Sequence, residues 1–363
     1  MSPSITSTND ALGRQTATVE MADLAARVVA AGLGAGLVAC DVTSAEPLLA
    51  ARVVLEERKA AGLASSMAFT YRNPERSTDP SRIVSDAAAV VVGAWPYPTT
   101  EPRRPAYAAG RVARYAWSDQ YGALKTALGA CASVLESHGY VARVVADDNA
   151  LVDRAIAHRA GIGWFGKNAN VLVPGHGSWV VLGAVVTDAP LTVEAVPIED
   201  GCGACRRCID HCPTNAIVAP GVVDARRCLA WIVQAPGSIP EEFRDALGDR
   251  IYGCDDCQEV CPPNRRGGAN GAAAREDTAW VDLLGLLEAD DETLLRRHGR
   301  WYIGERDPRH LRRNALVALG NIGDPEDPVV HDVLDRFALS DDIMLAEHAD
   351  WARRQLRLRG YSA

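Results

Sequence analysis

The chain has 363 residues, 48% of them hydrophobic, with ten cysteines and a formal net charge of −9. That length implies two or three domains with a proper core. The acidic balance argues against a generic polyanion-binding surface but leaves room for a local basic site. No run of about 18 apolar residues is present, which excludes a transmembrane helix. The N-terminal stretch lacks the basic and apolar regions of a secretory signal. A cytoplasmic protein with reduced thiols is expected, so ten cysteines point to ligation rather than to disulfides.

In chain order, a disordered head over residues 1–18 precedes a helix expected over residues 19–36. "AAAVVVGAW", residues 87–95, predicts a buried strand that "PYP" ends. "YGALKTALGACASVLESHGY" predicts an amphipathic helix, followed by a strand, "VARVV", and then by Asp147 and Asp148. "LVDRAIAHRAG" predicts a third helix with Gly161 at its end, and "SWVVLGAVVTD", residues 178–188, another strand. This alternation implies an α/β or α+β domain over residues 19–195. A cysteine-rich domain over residues 196–266, a small polar linker over 267–279 and a helical domain over 280–363 follow. Within the last, "PRHLRRNALVALGNIGDPEDPVVHDVLDRFA" predicts a helix, a Gly-Asp-Pro turn and a helix, the look of one HEAT-like pair or of an ordinary helical subdomain.

Cys202, Cys205, Cys208 and Cys212 follow C-x2-C-x2-C-x3-C-P, with Pro213 last. In this bacterial ferredoxin run three thiolates on one tight loop cap three corners of a 4Fe–4S cube, and the fourth ligates a second cube. The second group the pattern demands is Cys254, Cys257 and Cys261, read as C-x2-C-x3-C-P with Pro262 last. It is one cysteine short, and Cys228 can supply the missing ligand. Cluster one then takes Cys202, Cys205, Cys208 and Cys261, and cluster two takes Cys212, Cys228, Cys254 and Cys257. Structural zinc is the competing reading, but zinc sites usually use two pairs rather than a triplet followed by Cys-Pro. Cys40 and Cys131 stand in apolar helical contexts and read as buried small side chains.

"HRAGIGWFGKNANVLVPGHGSWVVLG", residues 158–183, sets six glycines around Trp164, Lys167, Asn168, His176 and Trp179. Glycines let backbone approach a large flat ligand, though a glycine-rich turn between a helix and a strand explains the stretch about as well. Neither phosphate-loop pattern is present. Taken in order, "RYAWSDQYG", "DDNALVDRAIAHRAGIGWFGKN", "GSWVVLG", "CGACRRCIDHCPTNAI", "DARRC", "GDRIYGCDDCQEVCP" and "RRNALVALGN" give the chain a wider likeness. Over roughly residues 87–323 it resembles the epoxyqueuosine reductases, cobalamin-dependent iron–sulfur enzymes of tRNA modification.

The resemblance implies a cobalamin-binding N-terminal domain, a bacterial ferredoxin-like domain with two 4Fe–4S clusters, and an α-helical HEAT-like C-terminal domain that contacts tRNA. Nothing in the sequence demands a dimer, so a monomer is the default expectation. The clusters would pass electrons from an unidentified donor to a cobalamin whose cobalt carries no protein histidine. The implied substrate is epoxyqueuosine at the wobble position of a tRNA anticodon stem-loop. Reductive loss of the epoxide oxygen gives queuosine, the last step of its biosynthesis. Asp147 matches the family's acid. Asp148 is its rival by one register step, and either could instead cap the following helix. The cobalamin contacts implied are Tyr121, Trp164, Lys167, Asn168 and Ser178. Arg297, Arg300, Arg312 and Arg313 are the implied RNA contacts, with Trp301 and Tyr302 available to stack a flipped base. A solvated helix face paired with nearby acids is the alternative for those arginines. Gln120-Tyr121-Gly122 departs from the family's usual Asp-Tyr-His, and "DNA" after Asp147 departs from its small residue followed by Ala-Pro. The competing function is a corrinoid iron–sulfur reductase acting on a small molecule, as reductive dehalogenases do; a pure electron carrier ranks last.

Overall fold

The valine-rich strand expected near residue 90 forms the middle of a four-stranded sheet. The computed structural model of the chain describes residues 6–97, 100–266 and 279–360. In it the sheet order is Ala39–Ser44, Ala89–Pro96, Val180–Thr187, Ala142–Ala146, with every neighbouring pair antiparallel. The first domain is therefore α+β rather than α/β. The two inner strands are buried along almost their whole length, because both faces of the sheet are covered. Helices Thr6–Gly34 and Gln120–Ser137 cover one face, and Leu124, Leu128, Cys131 and Leu135 supply the apolar stripe of the second helix. The helix Asp153–Arg159 covers the other through Ile156 and Ala157. Gly93 and Gly183 pair across the inner strands. A Cβ there would come within 2.7 Å of Leu37 or 2.8 Å of Leu128, so the glycine pair sets how closely the first layer lies on the sheet.

Several elements depart from expectation. The first helix begins at Thr6, inside the stretch expected to be a disordered head; once a packed helix is nucleated, each added residue gains one hydrogen bond. The edge strand Ala39–Ser44 and the helix Leu49–Ala60 went unpredicted. Cys40 lies on that strand, not on a helix. It is buried, as expected, and its sulfur and that of Cys131 converge on Gly32. A short helix, Pro262–Arg266, ends the expected cysteine-rich domain, and residues 267–278 of the expected linker lie outside the described residues.

A second core joins the rest. The strand Ala109–Val112 pairs in parallel with Arg250–Tyr252 and antiparallel with Trp280–Asp282. Trp117, Leu247 and Ile251 thereby share one apolar cluster with Leu316, Leu319 and Trp351 of the C-terminal helices. The expected helix, turn and helix are Arg309–Ile322, Gly323 to Pro325, and Pro328–Ala338, with Ile343–Gly360 packed on both. Among the described residues no helix is long and apolar enough to cross a membrane.

Arg313 contradicts its expected role as an RNA contact. It is 1% exposed, and its guanidinium donates to the carbonyls of Ala235 (2.8 Å), Ile232 and Val233 (both 3.3 Å) and of Gly237. Burial pulls its pKa down to about 9. The helix presents this residue inward because Leu316 and Val317 follow at core spacing. Arg313→Met strands these carbonyl acceptors and is expected to lower stability by about 3 kcal/mol. Chemical denaturation checks this.

Candidate active site

A cavity of about 1560 Å³ opens between the sheet, the starts of helices Gln120–Ser137 and Asp153–Arg159, and the cysteine-rich segment. It exceeds the roughly 300–1,000 Å³ of ordinary small-molecule sites. Of the residues expected at the site, Asp147, Tyr121, Asn168 and Ser178 line it. Asp147 follows the strand Ala142–Ala146 and adopts a left-handed backbone conformation, φ 53°, which aspartate tolerates better than most residues. Partial desolvation raises its pKa above the ordinary carboxyl range. Nearby Asp153, Asp148 and Asp119 add to the rise, and Lys125 opposes it. Asp148 does not line the cavity; it accepts the Ala150 N–H at 2.8 Å within the turn, and neither aspartate caps the following helix, which begins at Asp153 without a side-chain cap. Tyr121 stands at the head of its helix, whose first turn is capped by Asp119 through the Gly122 N–H at 2.9 Å. A Cβ at position 122 would lie 2.4 Å from that carboxylate, so glycine suits this cap.

Eight of the cysteines lie near one another. Cys261 has Cys208, Cys202 and Cys205 as electrostatic neighbours; Cys228 neighbours Cys212, Cys254 and Cys257 neighbour Cys228, and Cys257 also neighbours Cys208, so the two expected sets adjoin. All ten thiols are free of disulfides. Among the described residues no three or more His, Cys, Asp or Glu side chains surround a single-ion site. Burial pushes Cys254 up to about 12 and Cys261 up to about 11, so thiolates there need a cationic partner such as an iron–sulfur core. Thr214 and Arg227 bond reciprocally, Oγ1 to carbonyl at 2.6 Å and Nε to carbonyl at 3.0 Å, stitching the Cys212 segment to the Cys228 segment. Arg114 grips Asp255 at 3.1 Å and Glu259 at 2.7 Å, while Arg250 takes both oxygens of Asp256 at 2.5 Å. Both aspartates of "CDDC" are thus held by half-buried arginines.

Cys212, Cys228, Cys254 and Cys257 line the cavity, whereas Cys202, Cys205, Cys208 and Cys261 do not. The polar bridge between the sheet and this group is Asn264. Its Oδ1 accepts the Ser178 N–H at 2.6 Å, and its Nδ2 donates to Ser178 Oγ at 2.9 Å and to the Gln258 carbonyl at 2.8 Å. Gln258 Nε2 also donates to Ser178 Oγ at 3.0 Å. Asn168 lies beside them, its Nδ2 3.4 Å from the Cys257 carbonyl.

Trp164 and Lys167 are not cavity residues. The Trp164 ring packs against Gly201, and Lys167 Nζ donates to the Gly203 carbonyl at 2.6 Å, so both buttress the loop of the first cysteines. The reason is strand alternation. Trp164–Phe165 pairs with Val171–Leu172, and it is Phe165 that faces the cavity.

The remaining walls match known proteins. Residues 201–264 match a 4Fe-4S double cluster binding domain. The epoxyqueuosine reductase of Xanthomonas campestris is 35% identical over 353 residues, 92% of this chain and 96% of the relative. The chain belongs to the epoxyqueuosine reductase family. The Vibrio cholerae member is 42% identical over 214 residues, 58% of this chain and 57% of the relative. A crystal structure of epoxyqueuosine reductase with an epoxyqueuosine-modified tRNA-Tyr stem loop superposes with a TM-score of 0.84 at 29% identity, covering 93% of this chain and 91% of that one.

Within this family frame the other C-terminal arginines divide. Arg297 is exposed. Arg300 lines the cavity mouth and donates to the carbonyls of Ser118 (2.7 Å) and Ala116 (3.0 Å). Arg312 is drawn inward to Asp291 at 2.5 Å and to the Ala289 carbonyl. Sequence reasoning missed Tyr97, Tyr115, Tyr252 and Asp153, all of which line the cavity; isolated tyrosines and a first-turn aspartate carry no spacing signal. Trp301 is buried, stacked on Tyr252 at 4.5 Å, and Tyr302, 55% exposed, faces Trp231 at 6.1 Å. Asn264→Ala removes three hydrogen bonds and leaves the Ser178 N–H unpaired. The expected loss is about 2–4 kcal/mol of stability, read by denaturant unfolding of the reconstituted protein.

Proposed function

We propose that the cavity holds cobalamin, with Asp147 as the acid, and that here the protein reduces epoxyqueuosine in a tRNA anticodon stem-loop to queuosine. One observation carries this reading: Asp147 and the group formed by Cys212, Cys228, Cys254 and Cys257 meet at the same cavity. Membership of the family supplies the oxidoreductase activity, and the 4Fe-4S match supplies the cluster chemistry. We assign cluster one to Cys202, Cys205, Cys208 and Cys261, and cluster two to Cys212, Cys228, Cys254 and Cys257.

The residues fit a corrinoid. The cavity is larger than a drug-sized site and is walled by Val180, Leu182, Phe165 and Tyr97 beside a few polar groups. When bound, cobalamin supplies a strongly reducing, nucleophilic centre. Asn168 and Ser178 would hold its polar edge, and Tyr121 would flank the acid. The reaction breaks both C–O bonds of the epoxide and forms a C=C bond between the two carbons. It consumes two electrons and two protons and releases the oxygen as water. Asp147 delivers a proton to the leaving oxygen, a task suited to a carboxyl whose pKa burial has raised. At the mouth, exposed Arg297 and Arg300 would hold phosphates, and Tyr302 would offer a face to an unstacked base. The paired C-terminal helices, HEAT-like in this reading, carry that surface.

The test is anaerobic turnover with reconstituted clusters, cobalamin, a strong reductant and tRNA bearing epoxyqueuosine, followed by mass spectrometry of the nucleosides. Loss of one oxygen, dependent on cobalamin, is expected; no conversion with cofactors loaded sinks the reading. Because the proton on Asp147 is lost as pH rises through its raised pKa, kcat should fall on the alkaline side. Asp147→Asn should remove about 10²-fold or more of kcat. The same shift makes the folded chain hold more protons than the unfolded one between the ordinary and the raised pKa, so this group's contribution to stability falls as pH rises through that window. Cys228→Ala should leave about four of eight irons after reconstitution, measured by iron analysis; a full complement would refute the assignment of Cys228.

A further inference from the structure

We propose that Tyr252 is a positioning residue for RNA: its hydroxyl fixes the backbone of Tyr302 and so holds the face that receives an unstacked base in register with the cavity. This rests on the reading of function above and deepens it.

Residues 301–303 belong to neither a helix nor a strand. Trp301 and Ile303 are buried, whereas Tyr302 between them is 55% exposed. That inward, outward, inward order is the alternation of extended backbone, and Ile303 has φ −112° and ψ 118°. Extended backbone outside a sheet has no ladder to take its N–H groups, so each needs another acceptor. The Tyr302 N–H donates to the Tyr252 hydroxyl oxygen at 2.7 Å. The Tyr252 ring stacks on Trp301, with centroids 4.5 Å apart and planes 11° from parallel. One side chain thus grips two successive residues, Trp301 through its ring and Tyr302 through its oxygen. Trp231 flanks the Tyr302 ring at 6.1 Å, tilted by 31°.

Both holding residues come from the cysteine-bearing backbone. Tyr252 ends the strand Arg250–Tyr252, two residues before Cys254, and Trp231 lies on the helix Leu229–Ile232, which Cys228 precedes. All five of Trp231, Tyr252, Tyr302, Cys228 and Cys254 line the one cavity. The place of Tyr302 is therefore set by the same backbone that sets the cavity-facing cysteines, and not by the C-terminal helices alone. A substrate that arrives as part of a folded RNA needs such a register: a base stacked at the mouth fixes how far the neighbouring nucleotide reaches inward. Rigidity matters here because ordering one free loop residue costs about as much as stacking one base gains. A loosely held tyrosine would give little net affinity.

The test is binding of a fluorescently labelled anticodon stem-loop RNA to the reconstituted holoenzyme. Tyr252→Phe keeps the stack on Trp301 and removes the hydroxyl. Its affinity for the RNA should fall about tenfold, and in turnover the loss should fall on KM rather than on kcat. Tyr302→Ala should weaken binding by a similar factor, and Tyr302→Phe, which keeps the ring, should bind within about twofold of the unmodified protein. Tyr252→Phe added to Tyr302→Ala should weaken binding little further, because no ring is left to place. A hydroxyl that only stabilised the fold would act in full on both backgrounds. Unaltered affinity in Tyr252→Phe overturns the proposal, as does full additivity in the double variant or an affinity loss that tracks lost iron or corrinoid. An unmodified holoenzyme that binds no stem-loop overturns the functional reading, and this role of Tyr252 with it.

Discussion

Everything in this molecule depends on Asn264 seating itself over Gly177. Its side-chain oxygen occupies the space where a Cβ of residue 177 would stand, 1.9 Å away. From there it takes the Ser178 N–H, while its nitrogen reaches Ser178 Oγ and the Gln258 carbonyl. No other side chain has both a short reach and an adjacent donor and acceptor suited to this job. The contact joins the end of the central sheet to the helix that carries Cys257, and so fixes one cysteine group against the cavity wall. In the proposed reaction electron transfer and proton delivery would both need that distance held, and a backbone-to-amide bridge holds it more firmly than surface ion pairs could.

Arginine does the complementary work. Arg114, Arg250 and Arg313 are largely buried and grip carboxylates or carbonyls, and Arg300 and Arg312 bond across elements. Of the arginines that read in the sequence as a basic surface, Arg313 is internal scaffolding and Arg312 is half-buried, while Arg297 and Arg300 stay exposed. The strand Ala109–Val112 lies between Arg250–Tyr252 and Trp280–Asp282, so the cysteine-rich segment and the C-terminal helices share a core with a piece of the first domain.

How much of this was legible depended on whether the signal was local. The cysteine spacing showed two groups of four, because loop ligation leaves a fixed chain pattern. The inner strands showed as valine runs, because both faces are covered. Ala39–Ser44 did not, since Asp41 and Thr43 break its apolar run at the sheet edge. Asp147 and Asp148 were one register step apart and became distinguishable only once the turn bonded Asp148 to Ala150. Trp164 was assigned to the cavity and Phe165 was not, because a two-residue strand leaves its facing undecided until its partner is known. Arg313 was misread for the same reason: charge composition is visible along a chain, but burial depends on what packs against the helix.

The asymmetry of the two cysteine groups has a temporal meaning. Only one group borders the cavity; the other stands behind it, away from the chemistry. On the proposed reading, two clusters in series, each able to hold one electron, would match the two electrons of a single turnover. The molecule would then be charged before RNA docks, and the RNA would not need to leave between the first electron and the second. The rear cluster would work as a reservoir, separating the visit of the electron donor from the visit of the substrate.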